Sequence, residues 1–456
     1  MKINKISLAL ASMGVVSLAS VAQANTVLYL TGSTAARAFI FSASTTVANG
    51  IFTGGAAVVA PVGGTSGLSQ IVYEGTLPGI AGVSDISCSF SGSEAGIGSV
   101  ANAPLSQTLF NAYDPNAAVA GTSYPLPNST PAFYQPNGTG GWNAPAALPG
   151  GQFPDLTMAD TSQAVSRTPN TGATLLTDYG IVAVVPFTWL KGYDSAPDQA
   201  YNDLNNVTTP ELYQAFANGD ALNANLFTGV PADSSDGIAI FGRNFGSGTR
   251  INTLLNAAQS SIAANVSYQQ FAYGTGAALY PAATPGTLTV DAALNLNGQG
   301  ALYGVGNDGF DSGGNVATEM ETDGANNDVV PIGYLGISDA KSALTFVKGT
   351  TLGGVPTALP LNGVFEGDLA VENGDYTFWG SEHLLGKHGQ VAPGTTAGND
   401  IYAGIHSYLT SIGAGTVAGN ISTQPAQSIL IPTESMQVSR GHADSGFPSQ
   451  VTLGNF

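Results

Sequence analysis

Basic residues are scarce in this chain. Lys and Arg number 11 among 456 residues, against 30 Asp and Glu, for a formal net charge of −19. So few cations cannot neutralise a run of nucleic-acid phosphates, which sets general nucleic-acid binding aside. Docking onto an anionic membrane surface is disfavoured for the same reason. Charge of either sign is sparse at 9% of residues, against roughly a quarter in an average soluble protein, which excludes a coiled coil and a charge-rich disordered chain. The single cysteine, Cys88, excludes an intramolecular disulfide and reads as a small buried hydrophobe. Past the first two dozen residues, no run reaches the ~18 apolar residues of a membrane-spanning helix. Stability falls to core burial, for which 43% apolar residues in a chain this long are ample.

Glycine, by contrast, is abundant at 60 residues, and with 25 prolines makes up about a fifth of the chain, short of the ~25–30% of a low-complexity sequence. The length suits two or three domains. Lys2 and Lys5, the apolar and small-residue stretch from Ile6 to Val21, and Ala22-Gln23-Ala24 read as an export leader, residues 1–24, with an A-x-A cleavage site. The mature chain is expected to start at Asn25, to carry a formal charge of −21 once Lys2 and Lys5 are lost, and to reside in the periplasm or outside the cell. No Cys stands at the cleavage point, so no lipid anchor is expected.

The pattern alternates strand, turn and helix. Val27–Leu30 is strand-like, Thr31–Thr34 is a turn and cap, and Ala35–Val47 can continue as a helix. Residues 80–90 are β-like and run into the possible helix of Ser91–Ile97. Gly180–Pro186 is a near-continuous apolar run suited to a strand buried on both faces. Residues 206–219 read as a capped helix, Gly237–Phe241 as a strand followed by a helix from Arg250, and Val329–Ile337 as another buried strand. A further helix falls near 399–411. Residues 99–154, rich in Pro, Gly, Asn and Ala, hold one carboxylate, Asp114, and no Lys or Arg; they read as a long surface insertion. The expected fold is α/β, with mainly parallel sheets flanked by helices.

Three Gly/Ser/Thr clusters each stand between a strand and a helix start: Gly32-Ser33-Thr34, Ser91–Gly96 and Gly246–Thr249. The first N–H groups of a helix lack internal partners, and the dipole adds about half a positive charge there. Glycine admits close approach, and hydroxyls donate further bonds, so three such clusters with Arg243 point to an anion cradle at converging strand ends.

The order of these pieces resembles the periplasmic phosphate-binding proteins of ABC transporters. The resemblance runs through GSTAAR at 32–37, SGSEAGI at 91–97, the strand and Asp at 156–160, the VVP run at 184–186, NVTTPELYQAFANGD at 206–220, GRNFGSGTR at 242–250 and IGYLGI at 332–337. It covers most of the mature chain, with long unmatched insertions. Arg243 to Thr249 is its most specific piece. It implies a two-lobed type II binding-protein fold with a hinged cleft. One lobe would comprise 25–184 with 333–456, carrying the insertion at about 99–154, and the other 185–332. It implies ligand-binding roles for Ser33, Thr34, Ser93, Asp160, Arg243, Ser247, Gly248 and Thr249, with Asp160 accepting the ligand's proton and so rejecting sulfate. Ala159 replaces the family's usual serine before that aspartate. Asp85 competes with Asp160 for the same role, and Glu94 is an unusual acid within an anion loop, expected to point away.

Other signals are weaker. The acidic stretch holding Asp308, Asp311, Glu319, Glu321, Asp323 and Asp328 lacks the fixed offsets of a calcium loop and reads as solvated. His383 and His388 are five apart, unlike a helical zinc pair, and Phe378–Leu384 reads as core with a polar edge. Neither metal nor cofactor is expected. With no nucleophile constellation in view, the expectation is a binding protein that does no chemistry, takes phosphate or a related oxyanion, and delivers it to an inner-membrane ABC permease. The alternative is a secreted surface or matrix protein that reuses the fold with binding altered or lost.

Overall fold

The computed structural model describes residues 26–60, 70–90, 92–101, 154–168, 170–218, 222–257, 268, 270–273, 309–310, 312–324, 328–344, 355–389, 394–412 and 430–440, with short strands at 135–136, 142–143, 288–290 and 449–450. The expected leader lies outside these residues. So does nearly all of 99–154, apart from Ser99–Ala101, which complete a helix, the paired dipeptides at 135–136 and 142–143, and Pro154.

One mixed sheet organises the chain. Its strands are β1 (Thr26–Gly32), β2 (Ala57–Ala60), β3 (Gln70–Gly75), β4 (Ser84–Ser89), β5 (Leu156–Ala159), β6 (Leu176–Lys191), β7 (Leu222–Asn223), β8 (Gly237–Phe241), β9 (Val329–Gly336), β10 (Thr357–Leu359) and β11 (Trp379–Lys387). Their order is β2-β3-β4-β1-β5-β11-β6-β9-β8-β7, with β10 also on β6. Parallel pairing is confined to β4–β1–β5 and β8–β9, the strands that lead into the anion-cradle loops; the remaining ladders are antiparallel. Antiparallel ladders arise where β6 and β11 join the two parallel groups, long-range pairings that carry no local signal, and at β2–β3–β4, β7–β8 and β10–β6.

β6 divides the sheet. Leu176–Pro186 pair with β11, and Phe187–Lys191 pair with β9, so the partner changes between two adjacent residues. Its apolar run continues past Pro186, and every residue from Val182 to Lys191 is buried, which explains why the strand extends five residues beyond Gly180–Pro186. At the switch, Phe187, Phe378, Trp189 and Tyr334 pack ring to ring with centroids 5.3–6.1 Å apart. Each such ring buried contributes on the order of 2–3 kcal/mol.

The helices follow the strand ends: α1 (Arg37–Thr45) after β1, α2 (Ser93–Ala101) after β4, α3 (Thr209–Asn218), α4 (Gly248–Asn256) after β8, α5 (Gly313–Glu321), α6 (Ile337–Leu344) after β9, and α7 (Gly394–Ile412). Their starts are chemically marked. α3 opens with a capping box, in which Glu211 Oε2 accepts from Thr208 N at 2.7 Å and Thr208 Oγ1 accepts from Glu211 N at 3.4 Å. Ser247 caps α4 by accepting from Arg250 N, and Ser312 caps α5 by accepting from Asn315 N. α6 buries Ile337, Ala340 and Ala343 along one face. Cys88 is 1% exposed within β4, the buried hydrophobe its solitude suggested. Among the described residues no helix is long and apolar enough to cross a membrane.

Candidate functional site

The carboxyl ends of β1, β4, β5, β8 and β9 converge on one small cavity. Ser33, Thr34, Ala35, Gly92, Ser93, Asp160, Phe187, Arg243, Ser247, Gly248, Thr249, Gly336, Ser338 and Asp339 line it. All eight residues singled out in the sequence are among them. Seven are buried and Thr34 is half-buried. The enclosed space is about 20 Å³, against the ~10–15 Å³ that one water needs. It suits a small inorganic ion and has no room for a sugar or a base.

Four helix starts meet here. Those of α1, α2 and α4 were legible as Gly/Ser/Thr clusters. The fourth, Gly336-Ile337-Ser338-Asp339 at the start of α6, was missed. Its signal was the same strand–turn–helix grammar, visible where the buried run of β9 ends at Gly336 and a Ser-Asp pair opens the helix.

Asp160 is the most constrained group in the cavity. Its Oδ1 accepts from Ser93 Oγ at 2.5 Å, and Thr249 Oγ1 approaches Oδ2 at 3.5 Å. Its own N–H donates to Ser93 Oγ at 3.2 Å, and its carbonyl accepts from Asn252 Nδ2 at 2.7 Å. The side of the sheet carrying α2 and the side carrying α4 therefore both hold it. Gly248 shows how close that grip is, because a Cβ there would fall 1.6 Å from Asp160 Oδ1. Burial raises the Asp160 carboxyl above the usual aspartate range, opposed by the Ser93 hydrogen bond and by Arg243.

With the Ser93 hydroxyl committed to Asp160, and the Glu94 and Ala95 N–H groups both donating to Gly246 O at 3.1 and 3.3 Å, the donor that α2 can offer the cavity is the Ser93 N–H. Ser33 N–H donates to Met158 O at 2.8 Å, and its hydroxyl is drawn toward the buried Glu382 carboxyl behind it.

Arg243 is 4% exposed. Its N–H donates to Tyr334 Oη at 2.8 Å and its Nε to Phe310 O at 3.2 Å, which fixes the guanidinium at the cavity wall. A second guanidinium buttresses it from behind. Arg250 donates from Nη1 to Arg243 O at 2.9 Å and stacks on Phe245 and Tyr268, 4.3 and 4.5 Å from their ring centres. Arg167 covers the other approach to Phe245 at 4.6 Å.

The competing acids separate cleanly. Asp85 lies at the start of β4, the end of the strand remote from the cavity, and is not among its lining residues. Glu94 points away, as expected. Its Oε2 accepts from Arg167 N at 2.9 Å and Ser166 Oγ at 3.1 Å, and burial pushes its carboxyl up to about 7. Glu382, within the stretch that reads as core, is 0% exposed. Burial first, and Asp160 second, raise its carboxyl well above the ordinary range, and a hydrogen bond from Ser33 opposes that rise. His383 beside it places Nδ1 2.8 Å from Asp178 Oδ2. Asp308 and Asp311 of the acidic stretch lie outside the described residues. Glu319 is buried, with Oε2 accepting from Tyr273 N at 3.0 Å. Among the described residues no group of three His, Cys, Asp or Glu is placed to hold a metal.

Several solved structures are similar to this chain. One is a protein from Clostridium perfringens assigned as a phosphate ABC transporter substrate-binding protein and solved with bound phosphate; it is 13% identical, with a TM-score of 0.37 over 82% of this chain and 92% of that one. Another is an ABC-type phosphate transport receptor from Vibrio cholerae, 13% identical, TM-score 0.30, over 55% and 73%. A third is PstS from Borrelia burgdorferi, 11% identical, TM-score 0.31, over 83% and 92%. No family model matches the chain, and no curated protein matches its sequence. Similarity at this level leaves the cavity's own atoms to decide what it holds.

Proposed function

We propose that this chain is a solute-binding protein that holds one phosphate ion in the cavity, closes two lobes around it and delivers it to an ABC permease of the inner membrane. The two lobes would be the parts of the sheet on either side of the Pro186–Phe187 switch in β6, a division that puts the end of β9, α6 and β10, within the 333–456 expected in the first lobe, with the second. Export by residues 1–24 would put the protein in the periplasm or outside the cell, where such a permease draws its cargo.

The observation that carries this reading is the pairing of a fixed guanidinium, Arg243, with a buried carboxyl, Asp160, across a cavity of one-ion size ringed by helix starts. Helix N-termini and a guanidinium favour an oxyanion. A buried acceptor next to them favours an oxyanion that still carries a proton. Phosphate meets both conditions near neutral pH, and sulfate meets only the first. Thr34, Ser247, Gly248 and Thr249 complete the donors, and Phe187 covers one side. The role we assign is binding, with the Ser93 hydroxyl spent on holding Asp160.

Titration of the mature protein with inorganic phosphate by calorimetry, with sulfate as the parallel ligand, tests this directly. Saturable one-to-one binding of phosphate with sulfate at least a hundredfold weaker is the expected result. Binding of neither anion would remove the proposal and leave a surface or matrix protein that keeps the fold alone.

A further inference from the structure

We propose that Asp339 is a second proton acceptor for the bound anion, so that the cavity selects the dihydrogen form, H₂PO₄⁻, or its equivalent in total protons. This rests on the phosphate reading above and sharpens it from an ion to a protonation state.

Asp339 lines the same cavity as Asp160 but comes from a different helix start, that of α6. It makes no hydrogen bond among the described residues. Its carboxylate lies over the first residue of α5, where a Cβ on Gly313 would sit 2.0 Å from Asp339 Oδ2. Arg243, from the loop after β8, and Arg37, from α1, both act on it electrostatically. Gly313 and Gly314, which open α5, lie beside the Asp339 carboxylate, and Lys341 follows on the same helix as Asp339. Burial raises the Asp339 carboxyl, and the two guanidiniums oppose that rise. The cavity thus presents two carboxyl groups to a small anion, with Arg243 acting on both.

The proton count follows. H₂PO₄⁻ brings one P–OH donor for each carboxylate. HPO₄²⁻ brings one, and leaves the other carboxylate against a bare anionic oxygen in a desolvated space. That complex forms only by taking a proton from solvent. Either route ends with two protons shared among Asp160, Asp339 and the phosphate oxygens. Above the second ionisation of free phosphate, binding therefore takes up one proton, and affinity falls roughly tenfold per pH unit. Below it, affinity is flat until the carboxyls themselves titrate. Other titratable groups near Asp160 are Glu94 and Glu382, neither of which lines the cavity.

The experiment is calorimetry of the mature protein with inorganic phosphate across the neutral-to-alkaline range, repeated in two buffers of different ionisation enthalpy. The wild type should lose affinity roughly tenfold per pH unit on the alkaline side, with one proton taken up per phosphate bound. Asp339→Asn should abolish the slope and the uptake, and bind more tightly than wild type at the alkaline end. Asp339→Ser serves if the Asn variant does not melt cooperatively. Glu94→Gln should keep the slope. A wild type whose affinity is flat, with no proton uptake, overturns the proposal; so does an Asn variant that keeps the slope, or a Glu94→Gln variant that loses it. A protein that binds phosphate at no pH overturns the functional reading itself, which is a distinguishable result.

Discussion

The two parts of the sheet bring unlike groups to one cavity. From the side of β1, β4 and β5 come Ser33, Thr34, Ser93 and Asp160: hydroxyls, helix-start N–H groups and an acid, with no lining cation. From the side of β8 and β9 come Arg243, Ser247, Gly248, Thr249, Ser338 and Asp339. On the proposed reading an anion would be charge-compensated from one side and inspected for its proton from both. Affinity should live chiefly in the β8–β9 side, and discrimination in the carboxyl groups.

The largest expected effect breaks that contrast at its cation. Arg243→Ala should weaken phosphate binding by about 3–5 kcal/mol, a hundredfold or more, because it removes the guanidinium that lines the cavity among the described residues and acts on both Asp160 and Asp339. Its melting temperature should move far less than its affinity. Calorimetry alongside thermal melting checks this, and an affinity within a few-fold of wild type would sink the assignment.

Gly248→Ala comes next, since it attacks the contact between the two sides without touching a charge. The added methyl must displace the Asp160 carboxylate, so phosphate affinity should fall by about 2–3 kcal/mol while far-ultraviolet circular dichroism stays unchanged. Unaltered affinity would show that Asp160 is not held where α4 begins.

Asp160→Asn should narrow the preference for phosphate over sulfate by roughly 3 kcal/mol, because the amide can donate to an unprotonated oxygen. The same change at Asp85, remote from the cavity, should leave the preference alone. Competition between the two anions measures both, and equal effects at the two aspartates would contradict the geometry.

The smallest effect concerns stability away from the site. Burial pushes the Glu319 carboxyl up to about 8. A carboxyl raised on folding contributes stability below its unfolded pKa near 4.3 and loses it as pH rises through the folded value. The protein should therefore lose stability steadily between about pH 4.5 and 8 through this group, and Glu319→Gln should flatten that part of the profile. Denaturant melts at several pH values decide it; a profile identical in the two proteins would mean that Glu319 stays solvated.

What was legible in the sequence was local. Gly32–Thr34 and Gly246–Thr249 announce themselves as turns that open helices, and Arg243 stands three residues before the latter. Gly237–Phe241 and Val329–Gly336 read as buried strands because nothing polar interrupts them. The sheet's antiparallel joints were not legible, because the pairing of β11 with both β5 and β6 links residues some 200 positions apart and leaves no periodic trace. Asp339 escaped for a related reason: its role depends on Arg37 and Arg243, which only the fold brings near. Glu382 escaped because a lone acid in an aromatic stretch looks like an edge until the surrounding strands cover it.

β6 has a mechanical consequence. Because one unbroken strand hydrogen-bonds to β11 up to Pro186 and to β9 from Phe187 onward, any rotation of one part of the sheet against the other is a twist about its backbone. Pro186 stiffens that axis, since its ring fixes φ near −65°. Phe187 N–H is tethered to Phe378 O at 3.0 Å, on the segment that carries the chain back from β10 to β11. The axle and the return strap are thus bolted together at the same point, beside the cavity that Phe187 lines. Were the two parts to turn against one another on the proposed binding, the turn would pivot beside the cavity, where a small displacement at Phe187 becomes a large one at their distant ends.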